Sequence, residues 1–148
     1  AQVIVDGKDL GAELIEKGYA SDEYGYWKGY FCSALQAVNA GDTNWMNGDF
    51  EKSIFWYERA IFLDPDYDQS LMTYRLSELY KWIGDTKQSI DYLKQSAKLG
   101  FMKAEEALGA AYMNGNGVSK DPAQAKKWLK KAHNNGSDSA EDICGCEF

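Results

Sequence analysis

Histidine and proline are almost missing from this chain: one His and two Pro stand among 148 residues. A single imidazole cannot supply both a Ser/His/Asp relay and a metal site, which argues against catalysis built on histidine. Scarce proline leaves helices free to run unbroken. No apolar run approaches the roughly 20 residues a membrane-crossing helix needs. Basic residues are also in deficit, with 16 Lys and Arg against 23 Asp and Glu for a net charge of −7. Non-specific nucleic-acid binding rests on neutralising phosphates with Lys and Arg, so nucleic acid is not expected as a ligand. The three cysteines, Cys32, Cys144 and Cys146, are odd in number and have no framework spacing, so they identify no redox compartment.

What is present is a globular balance of 45% apolar and 26% charged residues, rich in aromatics (5 Trp, 10 Tyr, 6 Phe). The length suits one ordinary domain or a short repeat array with a continuous core. The acidity is uneven: residues 1–47 carry 7 acids and 3 bases, whereas residues 101–148 carry 7 and 6.

Shifted by 36 residues, one segment matches three times: GDFEKSIFWYERAIFL from Gly48, GDTKQSIDYLKQSAKL from Gly84 and KDPAQAKKWLKKAHNN from Lys120. In register stand Asp49, Asp85 and Asp121; Ser53, Ser89 and Ala125; Trp56, Tyr92 and Trp128; Tyr57, Leu93 and Leu129; and Ala60, Ser96 and Ala132. The aspartates are expected N-caps, and Pro122 follows Asp121 at the first helical position, where proline costs nothing. Small residues seven apart share one helix face and let a neighbouring helix approach closely. Each of these helices follows another amphipathic segment, over 33–46, 70–83 and 102–113. Such helix-turn-helix units cannot bury their faces alone and are expected to stack into an α-solenoid.

On these residues, 34–100 resemble two tetratricopeptide repeats. Residues 102–140 resemble the Sel-like variant of that repeat, through Leu108, Gly109, Tyr112, Gly115, Gly117, Val118, Asp121, Ala125, Trp128, Ala132, Gly136 and Ala140. Residues 1–20, AQVIVDGKDLGAELIEKGYA, depart from the repeat, with a β-branched run, an Asp-Gly turn and a helical stretch ending in Gly. They resemble the tail of staphylococcal-nuclease-like domains. That family's catalytic arginines and calcium-binding carboxylates lie upstream of such a tail and have no counterpart here, so no nuclease activity is expected. A local strand-helix cap on the array is the other reading, and the aromatic stretch 21–31 is expected to bury the first helix face of the array.

Other features compete for a functional reading. The glycines of Gly115-Asn-Gly117-Val118 suggest a phosphate loop, but neither a preceding strand nor a Gly-Lys-hydroxyl ending is present. They read as the bend of the third unit, four residues longer than its predecessor. Asp64, Asp66 and Asp68 lack the glycine and terminal glutamate of a calcium loop and read as an inter-repeat turn. His133, near a helix end, suits the helix dipole. Cys144 and Cys146 stand as free or locally paired thiols, or as half of a soft-metal site completed by another chain. Lys126, Lys127, Lys130 and Lys131 form a basic strip, ordinarily a solvated face, with docking to an acidic surface as the alternative.

The expected fold is all-α: a short superhelix of about three helix-turn-helix repeats over 33–148, behind a strand-helix capping segment over 1–32, with a terminal helix starting over 139–144. Resemblance to tetratricopeptide proteins implies that the first helix of each unit lines the concave side. This places Val38, Asp42, Trp45, Tyr74, Glu78, Lys81, Trp82, Glu106, Ala110, Met113 and Asn114 along a partner-binding groove. Large aromatics at such positions are favoured binding anchors. The expected function is a non-catalytic adaptor for a protein or peptide ligand, without metal or cofactor. The groove lacks the Lys/Asn pattern with which some relatives hold C-terminal carboxylates. The alternative is an accessory part of a nuclease-like enzyme whose catalytic residues lie elsewhere. The Ala-Gln start and the Sel-like resemblance favour a periplasmic or secreted setting over the cytoplasm.

Overall fold

The structure, a computed structural model, describes residues 33–148 together with two short strands, β1 (Ile4–Val5) and β2 (Lys8–Asp9). The strands pair antiparallel, Ile4 opposite Asp9 and Val5 opposite Lys8, on either side of the Asp-Gly pair that suggested a turn. The expectations for the helix after this hairpin, the aromatic stretch 21–31 and Cys32 lie outside the described residues.

Seven helices follow among the described residues: α1 (Ala34–Met46), α2 (Phe50–Leu63), α3 (Gln69–Trp82), α4 (Thr86–Lys98), α5 (Met102–Asn114), α6 (Pro122–Asn134) and the short α7 (Ala140–Cys144). Each packs chiefly on its neighbours in sequence, so α1–α2, α3–α4 and α5–α6 are hairpins stacked into a short helical solenoid.

The helices start where capping chemistry places them. Ser33 Oγ accepts from Gln36 N–H at 3.3 Å, Asp85 from Gln88 N–H at 3.0 Å, and Asp121 from both Ala123 and Gln124 N–H at 3.0 Å, with Pro122 first in the helix. The first of the three register aspartates departs from expectation. Asp49 makes no side-chain cap bond; its carboxylate lies 3.6 Å from Lys52 Nζ, one turn on, which competes for it.

The hairpins close identically. In each, the cap aspartate N–H donates to a carbonyl near the end of the preceding helix at 2.9 Å: Asp49 to Asn44, Asp85 to Tyr80, and Asp121 to Tyr112. The last bond spans four extra residues, and 115–118 fill the bulge as a bend. There Gly117, at φ +71°, lies against Ile90 and Thr86 of the previous unit; a Cβ would sit 2.7 Å from Ile90 Cγ1.

The repeated small residues are buried as their register demands: Ser53, Ala60, Ser89, Ser96, Ala125 and Ala132. They let the paired helices approach until the facing glycine has no room for a side chain. A Cβ on Gly109 would meet Leu129 Cγ at 2.5 Å, and one on Gly41 would meet the Tyr57 ring at 2.7 Å. Leu76, Leu79, Leu108 and Leu129 are fully buried, each contributing about 1.5–3 kcal/mol. Between the first two units, the Tyr80 and Tyr92 rings stack at 5.4 Å, and both hydroxyls donate to Glu58 Oε1 at 3.0 Å, tying α3 and α4 to α2.

Candidate functional site

The first helices of the units carry the expected site residues in columns set by the repeat: Val38, Tyr74 and Glu106; Asp42, Glu78 and Ala110; Trp45, Lys81 and Met113. The structure treats members of one column very differently.

On α1, Asp42 is taken up by the fold. Tyr57 of α2 donates its hydroxyl to Asp42, and Arg75 Nη1 of α3 donates to Asp42 Oδ1 and, at 2.9 Å, to Tyr57 Oη. Burial first, then the bond to Asp42, push the Tyr57 phenol well above its ordinary value, so the hydroxyl stays protonated and donating. The Arg75 guanidinium also lies 5.9 Å over the Trp45 ring and 5.7 Å over the Tyr57 ring. Its Nε is buried without an acceptor. Val38 is buried in the first core. Trp82 is 66% exposed and stacks on Phe50 at 6.0 Å, beside the turns rather than on the α3–α5 wall.

Between α3 and α5 the surface opens into two hollows. One, of about 520 Å³, has Glu78 and Lys81 on its α3 side, Ile90 and Leu93 of α4 at its base, and Ala107, Ala110 and Ala111 on α5. The other, of about 500 Å³, lies between Tyr74, the α5 residues Met102, Glu106, Ala107 and Ala110, and the loop Gly136–Ser139. Ala107 and Ala110 line both. The phenol of Tyr74 is raised, first by burial and then by the negative charges of Glu78 and Glu106.

Two adjacent glutamates fix the loop that borders the second hollow. Buried Glu105 accepts from Asn135 Nδ2 at 2.7 Å, and Glu106 accepts from Ser137 Oγ at 2.5 Å. Lys81 Nζ lies 4.0 Å from Glu78 Oε1. Tyr74, Glu78, Lys81, Glu106 and Ala110 are thus brought together, whereas Met113 and Asn114, at the end of α5, line neither hollow. Sequence reasoning missed Arg75, Ala107 and the Gly136–Ser139 loop. Only the 36-residue register linking Ser137 to Phe101 offered a signal for the loop.

The remaining motifs have structural roles. Asp64 Oδ1 accepts from Asp66 N–H at 3.1 Å, and Asp68, at φ +38°, caps α3 through Leu71 N–H. Cys144 is disulfide-bonded to Cys146, with Cα atoms 5.1 Å apart. His133 Nδ1 lies 4.0 Å from Glu141 Oε1, and its ring contacts Phe148. Among the described residues no group of three His, Cys, Asp or Glu is placed to hold a metal ion, and no helix is long and apolar enough to cross a membrane.

Stacked hairpins in one register define a helical-repeat protein. The tetratricopeptide repeat family matches residues 37–67, and the Sel1 repeat family matches residues 73–101 and 103–137. The chain is a tetratricopeptide/Sel1-type repeat protein, and its second unit matches the Sel1 form rather than the tetratricopeptide form its sequence suggested. Solved structures are similar, two of MamA among them. The crystal structure of MamA is 26% identical and has a TM-score of 0.59, the match covering 75% of this chain and 63% of that one. A second, the crystal structure of MamA protein, is also 26% identical, with a TM-score of 0.56 over 75% of this chain and 58% of that one. The chain therefore spans less than two thirds of their length. No protein of curated function matches the sequence. Repeats of these families are typically non-catalytic, and the general role they support is that of a protein-interaction adaptor.

Proposed function

We propose that the chain is a non-catalytic adaptor that holds a protein or peptide segment along the α3–α5 face, without nucleic acid, metal or cofactor. One observation carries this reading. The small residues Ala107 and Ala110 leave two adjoining hollows, walled by Tyr74, Glu78, Lys81 and Glu106. An apolar floor with a few convergent polar groups and an aromatic anchor suits a bound segment. Trp45, Trp82, Met113 and Asn114 would extend contacts beyond the hollows, while Asp42 and Val38 support the wall from within. The division at residue 32 into a capping segment and an array belongs to the same proposal.

The test is affinity capture from the native host's lysate, comparing the wild type with Ala110→Trp, whose indole would occupy both hollows. Circular dichroism should show unchanged helicity. A partner held by the wild type should be lost from the variant, with affinity falling at least about tenfold, some 1.4 kcal/mol. A partner retained equally by both places binding elsewhere and ends this reading. The accessory-part alternative draws on the resemblance of residues 1–20, and the β1–β2 hairpin supports it no more than it supports a cap.

A further inference from the structure

We propose that the outer face of α6, continued by α4, docks an acidic segment of a partner protein. Lys126, Lys127, Lys130 and Lys131 are all exposed on α6, and the other exposed residues of that helix carry no acid. Lys94 of α4 stands one repeat before Lys130, and Lys98 extends the cationic surface, with Asp91 the single acid of that helix. None of these lysines lines the two hollows. Nor does any of them pair with a carboxylate: the ion pairs among the described residues are Lys52–Asp49, Arg75–Asp42, Lys81–Glu78 and His133–Glu141.

Folding does not account for this charge. The helix dipole favours cations in the last turn and so suits Lys131, but its influence does not reach Lys126 and Lys127 in the middle of α6. Like charges at i,i+4, as in 126/130 and 127/131, oppose helix formation. The same register position carries Glu58 in the first unit, so the sign changes along the array.

The surroundings select the kind of partner. On α6 the other exposed residues are Pro122, Ala123, Gln124 and Asn134, with no large apolar side chain to enter a bilayer and no ring to stack on a base; Leu99, beyond Lys98 at the end of α4, is a single exposed apolar side chain. The Trp128 ring packs against the second core and lies under Lys131, whose Nζ is 4.6 Å from its centroid. The chain as a whole carries −7. An extended polyanion, such as DNA or an anionic bilayer, meets that repulsion over many Debye lengths of about 10 Å. A short Asp/Glu segment meets only the local cations, and such complementarity steers and selects partners.

The test measures fluorescence anisotropy of a labelled Glu-rich peptide against the whole chain at low and physiological salt. Comparison probes are a Lys-rich peptide, phosphatidylserine/phosphatidylcholine vesicles and duplex DNA. The Glu-rich peptide should bind the wild type with salt-weakened affinity. K126Q/K127Q/K130Q/K131Q should weaken it roughly tenfold or more, while the corresponding four Lys→Arg changes retain binding. Ala110→Trp should leave it unchanged, separating this face from the hollows. Absent or salt-insensitive binding, equal binding by the Gln variant, or stronger binding to vesicles or DNA would each overturn the proposal.

Discussion

The first and third units pack the same helical hairpin with opposite chemistry. Opposite the glycine that lets the helices close, the third unit places Leu129, which needs no polar partner. The first unit places Tyr57, whose buried hydroxyl must be satisfied, and it recruits Asp42 from α1 and Arg75 from α3. That solution leaves Arg75 Nε buried and unpartnered, a cost the leucine version avoids. The choice also decides what the column of first-helix residues offers. Where tyrosine fills the hairpin, the acid at the column position is consumed as Asp42. Where Leu93 fills it, the equivalent Glu78 has no hydroxyl to satisfy and stands at the rim of a hollow; in the third unit Ala110 leaves the space itself. Surface chemistry is thus set by the residue buried beneath it.

The hardest way to break the contrast is Tyr57→Ala. It removes an aromatic from the core and parts the Asp42–Arg75 cluster, and is expected to cost about 3–5 kcal/mol. Tyr57→Phe keeps the ring and loses only the hydroxyl's bonds, for about 1–3 kcal/mol. Urea unfolding of both variants separates the two contributions. If Tyr57→Phe is neutral, the polar cluster does not stabilise the first unit, and the two hairpins are energetically alike.

This contrast also marks what the sequence could reveal. Ser53, Tyr57 and Ala60 have counterparts 36 and 72 residues on, a register that the core keeps, and the helices fall within one residue of expectation. Asp42 was read as a groove residue by the same logic. Its partner Arg75 stands in register with Asn39 and Ala107, so no repeat pattern points to it. The hollows escaped notice for a related reason. They are made by what Ala107 and Ala110 lack, and a missing side chain leaves no motif.

The junctions between units offer a smaller test. Tyr80 is pushed up to about 12 by burial and then by Glu58, and burial together with the same carboxylate raises Tyr92. In the unfolded chain a phenol titrates near 10. Above about pH 10 the unfolded state therefore releases these protons first. The contribution of the pair is complete below pH 10 and is lost as pH rises towards about 12. At the next junction Tyr112, Trp128 and Lys94 stand in place of Tyr80, Tyr92 and Glu58, so this two-tyrosine clasp belongs to the first. Between pH 9 and about pH 11, the urea midpoint of the wild type should fall more than that of Tyr80→Phe/Tyr92→Phe. Equal losses would show that the clasp does not hold the units together.

The caps give the finest comparison, because the two aspartates share a register position and differ only in use. Asp121 accepts two N–H groups of α6, and Asp121→Ala should cost about 1 kcal/mol. On a chain of this size that lowers Tm by roughly 2–4 °C. Asp49 accepts none and lies near Lys52, so Asp49→Ala loses only a screened charge at the start of α2, a few tenths of a kcal/mol. Lys52 is what distinguishes the sites, and removing it should restore the equivalence. In a Lys52→Ala background Asp49 is free to turn back onto the helix, and Asp49→Ala should then cost nearly as much as Asp121→Ala. Thermal melts of the four proteins in that cycle decide it. If Asp49→Ala is as costly in the wild type as Asp121→Ala, the lysine does not compete and the two units start their second helices in the same way.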